Sequence, residues 1–307
     1  MMAKDLYADY RQYGYVILRS AFEPQCVKHL LNLCERVHTQ WHHNPLTDNP
    51  PVNSSAAYMR HLNHPDYHRD RPEDLAFLLD VCAAPILLDT LATVLNESFL
   101  FMNISFYFNP TGSNLDGNWH KDKGGDLDDP RDWATGTGVQ LQIPLVPSDD
   151  LELVPESHSR DYTDAERHIC IDGGEKNNRS NDMPGAIRLS LDPGDAVLFN
   201  PSGIHRGRYH SDKNRRTFMI SYVKERLARQ TLSAQGTNQY TNQPWFLHPD
   251  YLNGIQPRTK NFFHQYINFY GVNWQSQISE MNKYTSLIRM LDQSRCANPF
   301  FEELAPG

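Results

Sequence analysis

The sequence contains no long uninterrupted apolar run, which argues against a membrane-spanning segment. Its most apolar stretch, residues 75–95, is interrupted by Asp80, Pro85 and Asp89, whereas a membrane-spanning helix needs about 20 consecutive apolar residues. The N-terminal residues also lack the continuous apolar core of a secretion signal. We therefore expect a cytoplasmic protein with no membrane partner.

The chain is also poor in cysteine and in basic charge. Its five cysteines are widely spaced and form no C-x-x-C pair, so they predict reduced thiols rather than a disulfide framework or a zinc site. The 29 basic residues are outnumbered by 37 acidic ones, and the formal net charge is -8. Because no basic run is present to neutralise phosphates, we expect no nucleic-acid partner.

What the sequence does offer is enough length for one large β-sandwich or barrel with additions. No internal repeat is visible, so we predict a single domain over residues 1–307. Within it we distinguish an N-terminal part (1–98), a β-core (99–224) and a C-terminal extension packed on the core (225–307). We expect a monomer or a homodimer.

The N-terminal part combines regular elements with a long irregular loop. GYVILRS predicts a strand, and apolar residues at helical spacing after Pro24 predict an amphipathic helix. Residues 42–68 are rich in Pro, Asn and Ser, which favours a lid-like loop. We expect a second helical stretch over 72–95 and, in the C-terminal extension, an amphipathic helix near 276–292.

Between residues 99 and 224 the apolar residues recur with a period of two, in short runs such as FLFMNISFYF, GVQLQIPL and RTFMISYV. These runs are rich in β-branched and aromatic residues and are bounded by Pro, Gly, Asn and Asp, which is typical of strands joined by turns. Many short strands of this kind indicate a sandwich or barrel. The predicted fold class is therefore mainly β with flanking helices.

Within this core, the sequence WHKD supplies an imidazole, His120, and a carboxylate, Asp122, two residues apart. Residues i and i+2 of a strand project from the same face, so both groups can reach one point. His205, which follows the turn and strand DPGDAVLF, can supply a second imidazole from a non-adjacent strand. Two histidines and one carboxylate on one face of a metal leave open positions, as iron(II) oxygenases require.

Arg216 lies eleven residues after His205 and begins the alternating strand RTFMISY. Arg216, Phe218 and Ile220 share one face of that strand. A cation on an otherwise apolar inward face requires an anion. The distal carboxylate of 2-oxoglutarate would supply a bidentate one.

A second H-x-D triplet, His68-Arg69-Asp70, competes with the first as a source of metal ligands. It lies where the long loop meets a helix, so its aspartate fits an N-terminal helix charge better than a ligand. For His120 and Asp122 the alternative is a surface turn, because polar and flexible residues surround them. The full combination of H-x-D, PGDAVLFNPSGIH and a following arginine favours the metal site.

Over residues 7–224 the chain resembles the phytanoyl-CoA dioxygenase family, which includes ectoine hydroxylases and natural-product tailoring oxygenases. The resemblance is carried, in order, by YRQYGYVILRSAFEPQCVKHLL, WHKD, LVPESH, PGDAVLFNPSGIHRG and RRTFMISY. It implies a double-stranded β-helix (jelly roll, cupin-like) core that uses Fe(II), 2-oxoglutarate and O2. His120, Asp122 and His205 would then be the iron ligands. Arg216 would hold the distal carboxylate of 2-oxoglutarate.

The same resemblance points to three further side chains near the cosubstrate. Asn103 lies in the strand where ectoine hydroxylases place an amide against 2-oxoglutarate, and its alternative is an inward amide bonded to the backbone. Gln142 lies on a strand that often carries a cofactor-facing side chain, although alternation would equally place it toward solvent. Tyr107 shares a face with Asn103 and could face the cofactor or substrate, with a bonded core tyrosine as the alternative.

Two details of the resemblance bear on the reaction. Related halogenases replace the carboxylate ligand with a small residue, whereas Asp122 is intact, so hydroxylation, another oxygen-rebound outcome or desaturation is favoured over halogenation. Arg206 follows His205 at a position where glycine is usual in the family. We expect this arginine to alter the pocket wall beside the iron.

The motifs leave the substrate open. Candidate pocket walls are the loop 42–68, the acidic segment 123–133 and the aromatic C-terminal extension. No basic cluster near the motifs suits the phosphates of coenzyme A, so we expect a small-molecule substrate, such as a secondary metabolite. Two other functions stay open: a metal-dependent jelly-roll enzyme that does not use 2-oxoglutarate, and a catalytically inert binding module that has kept the fold.

Overall fold

The computed structural model describes residues 3–43, 57–109, 116–122, 137–209, 213–238, 240–248 and 251–275. The helices are α1 (Ala3–Tyr13), α2 (Pro24–His43), α3 (Pro72–Cys82), α4 (Pro85–Leu95), α5 (Asp164–Arg167), α6 (Gly174–Asn177), α7 (Glu225–Gln235) and α8 (Pro257–Trp274). The strands are β1 (Tyr15–Leu18), β2 (Tyr58–Arg60), β3 (Phe99–Phe108), β4 (Gly138–Pro144), β5 (Leu151–Leu153), β6 (Ile187–Arg188), β7 (Ala196–Phe199), β8 (His205–Gly207) and β9 (Arg216–Lys224).

The strands form two antiparallel sheets. The large sheet has the order β1-β7-β4-β9-β3-β2, and the small sheet has the order β6-β5-β8. Neighbours in both sheets are distant in sequence: β4 lies between β7 and β9, and β5 lies between β6 and β8. Such crossovers are typical of a jelly roll, and the predicted fold class is confirmed.

The large sheet has an apolar outer face and a mixed inner face. Outward residues of β9, such as Phe218 and Ile220, pack in the main hydrophobic core together with residues of the helices. Inward residues of β7, Val197 and Phe199, pack instead with Leu153 of the small sheet. Each fully buried side chain of this kind contributes on the order of 1.5–3 kcal/mol. The inner face is therefore the one that meets the small sheet.

The helical stretch predicted over 72–95 is two helices rather than one. α3 ends at Cys82 and α4 begins at Pro85, with Ala84 between them at φ -55° and ψ 136°. Proline has no N–H to continue a helix and disfavours helical geometry in the residue before it. By length and composition Pro72–Leu95 could cross a membrane, since an 18-residue window within it has a mean hydropathy of 1.9, but 72% of that window is buried inside the protein.

Other elements agree with the sequence only in part. β1 and α2 match the predicted strand and amphipathic helix, but α1, which precedes them, was not predicted. β2 lies within the predicted loop 42–68 and pairs with β3, while residues 44–56 of that loop lie outside the described residues. The helix expected near 276–292 also lies outside them. α8, which ends just before it, contributes Phe263 and Tyr266 to the main core.

The turn that leads into β7 depends on Gly194. This residue has φ +94°, a conformation that side-chain-bearing residues rarely adopt. Its carbonyl accepts a hydrogen bond from Phe22 N (3.0 Å), and its N–H donates to Pro144 O (3.3 Å). A Cβ at this position would lie 2.6 Å from Phe22 O. The turn therefore requires glycine for both its dihedral angle and its space.

We predict that Gly194→Ala lowers the free energy of unfolding by about 2 kcal/mol or more, because it adds backbone strain and a clash with a carbonyl. Gly174→Ala is the matched control, since Gly174 also has a positive φ (+60°) but nothing lies within 4 Å of its Cβ position. We expect the control to cost about 1 kcal/mol. Urea unfolding measures both, and equal losses would contradict the assigned role of the close contact.

Candidate metal centre

Residues 116–122 lie beside β8, and this contact brings the candidate ligands together. His120 and His205 exchange two backbone hydrogen bonds, from His120 N to His205 O (3.1 Å) and from His205 N to His120 O (2.9 Å). Gly117 N donates to Gly207 O (2.8 Å), so the segment runs antiparallel to β8. The two imidazole ring centres are 4.4 Å apart.

Asp122 completes the group because it lies two residues beyond His120. Its N–H donates to Pro201 O (2.8 Å), which fixes the backbone at the carboxylate. Its Oδ1 lies 3.3 Å from Nε2 of His120, and the ligand atoms of His120, Asp122 and His205 lie within 4.8 Å of one another. Within the described ranges, no other group of three or more His, Cys, Asp or Glu side chains converges in this way.

Both imidazole rings are oriented by backbone carbonyls. Nδ1 of His120 lies 2.7 Å from Asn118 O, and Nδ1 of His205 lies 2.9 Å from Gly203 O. Because a carbonyl can only accept, each Nδ1 carries a proton, and in the neutral ring Nε2 keeps its lone pair. Metal-binding histidines are commonly held in this manner. Nε2 is therefore the atom that each ring offers as a ligand.

The electrostatics of the three side chains suit a cation. Burial would raise the pKa of Asp122, but its hydrogen bond with His120 and the charges of both histidines hold the pKa below its usual range. Burial would lower the pKa of His120, but the bond to Asp122 raises it overall. Burial lowers the pKa of His205 to about 4. His205 is therefore a neutral imidazole near pH 7, the form that binds metals.

The donor set fits a divalent transition metal such as iron(II). Two imidazole nitrogens and one carboxylate oxygen, without a thiolate, are the ligands of mononuclear non-haem iron sites. The side chains of His120 and Asp122 are 48% and 41% exposed. A cation and additional ligands can therefore approach from the exposed side, while His205 forms the buried side of the group.

Gln140 holds the second oxygen of Asp122. Its Nε2 donates to Oδ2 of Asp122, while Oδ1 faces His120. One carboxylate oxygen is thus occupied and the other is directed toward the histidines. Gln140 lies opposite Phe199 in the register of β4 and β7, and directly opposite residues of paired strands share a face. Gln140 therefore projects from the inner face, which sequence alternation alone did not establish.

Asn103, Gln142 and Tyr107 lie on the same inner face as Gln140. Gln142 is two residues from Gln140, and Asn103 and Gln140 both lie opposite Ser221 of β9. Tyr107 is four residues beyond Asn103 in the same strand. Asn103 is 2% exposed, and its Oδ1 has no hydrogen-bond partner. The structure thus places these three residues on one face of the sheet, and their contact with a cosubstrate stays a prediction.

Arg216 is not brought to this face. It shares a face of β9 with Phe218 and Ile220, as alternation predicts, but that face packs on the helix-covered core. Its Nε donates to the Glu35 carboxylate of α2, so its charge is already paired. The expectation that this face points inward is wrong, because Phe218 and Ile220 pack in the outer core while the alternating residues, such as Thr217 and Ser221, face the site.

The preceding residue, Arg215, lies on the inner side. Its side chain is 1% exposed, and its guanidinium carbon lies 5.0 Å from the ring centre of Tyr107 and 4.7 Å from that of Tyr209. Nε and Nη1 have no hydrogen-bond partner. The Asp150 carboxylate comes no nearer than 4.0 Å to Nε. Because a weakly paired buried cation is costly, this position fits an anionic ligand.

Arg215 also lies close to His205, the last of the three candidate ligands in the sequence. A Cβ placed on Gly207 would lie 2.7 Å from Nη1 of Arg215, and Gly207 is two residues after His205 on β8. Residues i and i+2 of a strand share a face and are roughly 6.6 Å apart. Arg215 has the same parity in sequence as Thr217 and Ser221, which the structure shows to face inward, and the sequence alone gave no signal for which face this would be.

The competing triplet at His68 does not form a metal site. His68 is buried, with Nε2 2.7 Å from Leu62 O and Nδ1 3.4 Å from Nη2 of Arg36. Both ring nitrogens therefore have protein neighbours. Asp70 is exposed and lies just before α3. The acidic segment 123–133, considered as a pocket wall, lies outside the described residues.

The residues that alternate with the ligands point away from the site and are anchored there. Lys121 Nζ donates to Ser157 O (2.6 Å) and Arg160 O (2.8 Å). Arg206 projects from the opposite face of β8 to His205 and lies over the Trp119 ring at 4.4 Å. Strand alternation directs the Arg206 side chain to the back of the site, so it does not itself line the pocket, and the expectation that it alters the pocket wall beside the iron stays a prediction.

We predict that Gln140→Leu raises the dissociation constant for Ni(II) by about 10- to 100-fold, because the metal-binding carboxylate loses the bond that orients it. Gln142→Leu is the matched control, since it removes the same amide from the same strand face two residues away. We expect it to leave the Ni(II) dissociation constant within about 2-fold of wild type. Isothermal titration calorimetry without 2-oxoglutarate measures both, and an unchanged value for Gln140→Leu would contradict the role.

Comparison with solved structures finds the same fold at low sequence identity. AviO1 from Streptomyces viridochromogenes Tue57 has a TM-score of 0.53 and 19% identity over 73% of this chain and 95% of that chain. HygX from Streptomyces hygroscopicus, solved with nickel and 2-oxoglutarate bound, has a TM-score of 0.53 and 15% identity over 73% and 87%. The epimerase SnoN from nogalamycin biosynthesis has a TM-score of 0.52 and 15% identity over 73% and 81%.

Comparison with sequence families identifies the chain. No curated protein matches the sequence, and a model of the AraC-like ligand binding domain matches a minor part, residues 185–266. The model of phytanoyl-CoA dioxygenase (PhyH) matches residues 10–217, a range that contains all three candidate ligands. This match covers more than half of the chain, which therefore belongs to the phytanoyl-CoA dioxygenase family.

Proposed function

We propose that this family member is an iron(II)- and 2-oxoglutarate-dependent dioxygenase that hydroxylates a C–H bond of a small molecule. One observation carries the proposal: an open ligand set and a buried, weakly paired guanidinium, that of Arg215, share the inner face of the jelly roll. A cosubstrate that binds metal at one end and carries a carboxylate at the other would satisfy both. 2-Oxoglutarate has this form.

His120, Asp122 and His205 would hold the iron through two Nε2 atoms and one carboxylate oxygen. When bound, iron(II) supplies the activation of dioxygen, coupled to oxidative decarboxylation of 2-oxoglutarate to succinate and CO2, by which the substrate is oxidised. The protein keeps the ligand atoms converged. Gln140 orients Asp122, and backbone carbonyls orient both rings.

Arg215 would bind the distal carboxylate of 2-oxoglutarate. It has donor atoms without partners, and a guanidinium forms strong charge-assisted hydrogen bonds with a carboxylate. Tyr107 and Tyr209 lie against the guanidinium and limit its contact with water, which strengthens such bonds. Without an anion its charge would stay weakly paired, which disfavours the alternative of a metal enzyme that does not use 2-oxoglutarate. We propose Asn103 and Gln142 as additional polar contacts of the cosubstrate.

Hydroxylation is the proposed outcome for two reasons. Asp122 retains the carboxylate ligand that related halogenases replace. Hydroxylation also needs no protein group beyond those that hold the metal and the two substrates. Proteins of similar fold carry other outcomes, since SnoN is described as an epimerase and SnoK as a carbocyclase, both from nogalamycin biosynthesis. By analogy with these proteins we propose a substrate from secondary metabolism.

We predict that wild-type protein converts 2-oxoglutarate to succinate in a reaction that requires Fe(II) and O2. Asp122→Ala should lower this rate at least about 100-fold, because it removes a metal ligand whose supporting contacts alone are worth 10- to 100-fold. Asp70→Ala is the matched control, since it changes the exposed aspartate of the other H-x-D triplet, and its rate should equal that of wild type.

The measurement is succinate formation, first without added substrate and then across a screen of small molecules. If Asp122→Ala retained the wild-type rate with added iron, the metal assignment would be wrong. If no succinate formed from any sample, including wild type with each candidate substrate, the proposed reaction would be contradicted.

We predict that Arg215→Met raises the dissociation constant for 2-oxoglutarate by about 30-fold or more, because truncating one partner of a buried charge pair costs about 2 kcal/mol or more. Arg216→Met should leave that constant within about 3-fold, because Arg216 is paired with Glu35 on the outer face. Calorimetry on the Ni(II)-loaded protein, which binds without turnover, measures both. The reverse ranking of the two variants would restore Arg216 as the carboxylate ligand.

A further inference from the structure

Behind the two histidines lies a second cross-strand pair, Trp119 and Arg206. The pairing of His120 with His205 is antiparallel, so the residue before one histidine lies opposite the residue after the other. Adjacent residues of a strand project to opposite faces. Trp119 and Arg206 therefore meet directly behind the ligand pair, and the guanidinium carbon of Arg206 lies 4.4 Å from the ring centre of Trp119.

Arg206 is buried, and each of its three guanidinium nitrogens donates a hydrogen bond. Its side chain is 1% exposed, and Nε donates to Oε2 of Glu152 in β5 (2.6 Å). Nη1 donates to Arg179 O (2.9 Å), and Nη2 donates to Oδ1 of Asn181 (2.7 Å). One planar group thus joins β8, β5, the segment 179–181 and the Trp119 ring. This uses both the fork of donors and the flat face that distinguish arginine from lysine.

Trp119 is tied to the same segment. Its backbone N–H donates to Asn178 O (2.7 Å), and its indole Nε1 donates to Ser180 O (2.8 Å). The ring is 2% exposed and packs in a small cluster with Ile169 and Met183. The segment that carries His120 and Asp122 is therefore held between β8 on one side and residues 178–181 on the other.

We infer that Arg206 is a positioning residue of the metal centre, which acts through Trp119 to fix His120 relative to His205. The inference rests on the proposed metal site. Residues 116–122 form no regular strand beyond the bridge at His120, so side-chain contacts act together with the backbone bonds to determine where two of the three candidate ligands lie. The stacked guanidinium links both ligand-bearing segments to the segment 178–181.

Removal of this guanidinium should leave the protein folded but should loosen the position of Trp119. Glu152 would not be left as an unpaired buried charge, because Nη1 of Arg208 lies 3.0 Å from its Oε1 and Arg188 lies 4.0 Å away. An apolar side chain of similar length can fill much of the same space. Arg206→Met should therefore fold while the Trp119 ring loses the group that stacks on it.

The test is titration of the apoprotein with Ni(II) by calorimetry, with urea unfolding of the same samples. We expect Arg206→Met to raise the Ni(II) dissociation constant by about 10- to 100-fold. Arg36→Met is the control, because Arg36 also pairs with a buried carboxylate, Asp74, and with a backbone carbonyl, Tyr67 O, but lies away from the ligands. We expect Arg36→Met to lower stability and leave the Ni(II) dissociation constant within about 2-fold.

Three outcomes would overturn the inference. The first is a folded Arg206→Met that binds Ni(II) as wild type does, and the second is an equal loss of affinity in Arg36→Met, which would indicate general destabilisation. If Arg206→Met did not fold, Trp119→Phe would replace it. That variant keeps a ring under the guanidinium but loses the bond to Ser180 O, so we expect about 10-fold weaker binding. The third outcome that would overturn the inference is a Trp119→Phe variant that binds Ni(II) with wild-type affinity.

Failure of the inference is distinguishable from failure of the proposed function. If wild-type protein did not bind Ni(II), the metal centre itself would be contradicted. If wild type bound Ni(II) and the two variants at Arg206 and Trp119 bound it equally well, the metal centre would stand and only the positioning role would be lost.

Discussion

Two backbone hydrogen bonds, exchanged between His120 and His205, join the segment 116–122 to β8 and bring the candidate metal ligands together. Through them a short stretch of chain without regular strand structure is bridged to the edge of the small sheet. The i, i+2 spacing then carries Asp122 to the same point. The remaining contacts of the site, from Gln140 to the two carbonyls that hold the rings, refine an arrangement that this pairing creates.

The inner face of the jelly roll carries unusual polar content for a protein interior. Arg215 has donor atoms without partners, and the buried Oδ1 of Asn103 and Oγ1 of Thr217 also lack hydrogen bonds. Each such group costs about 1–3 kcal/mol when left unsatisfied. The outer core of the sheet, which packs on helices, offsets this cost. Binding of a polar, anionic ligand would satisfy these groups. Packing on the outer face thus keeps the protein folded while the inner face holds polar groups that are available to a ligand.

The convergence of His120, Asp122 and His205 could be predicted from the sequence because each residue lies in a recognisable local pattern, although the pairing that joins them is not local. H-x-D in a strand determines that two ligands converge, and the P-G-D turn with its buried strand leads to the third. Glycine is required at position 194 of that turn, since its positive φ and the close approach of Phe22 O exclude other residues.

The arginine that would bind the cosubstrate carboxylate could not be assigned in the same way. Arg215 and Arg216 are adjacent in sequence and project from opposite faces of β9. Choosing between them requires knowledge of which face of β9 the helices cover, and that depends on contacts with α2, which is distant in sequence.

The break between α3 and α4 had a local signal in Pro85, whereas the loop-like composition of residues 42–68 gave no signal for the pairing of β2 with β3. Trp119 and Arg206 likewise acquire their relation only through the register of two separate segments.

The central claim is that one ligand bridges the metal held by His120, Asp122 and His205 and the guanidinium of Arg215. Its most direct test is anaerobic titration of the wild-type protein with Fe(II) and 2-oxoglutarate, followed by visible spectroscopy. We expect a weak charge-transfer band that appears only when both are present, as chelation of the metal by the cosubstrate requires. Bound iron with saturating 2-oxoglutarate and no such band would contradict the account.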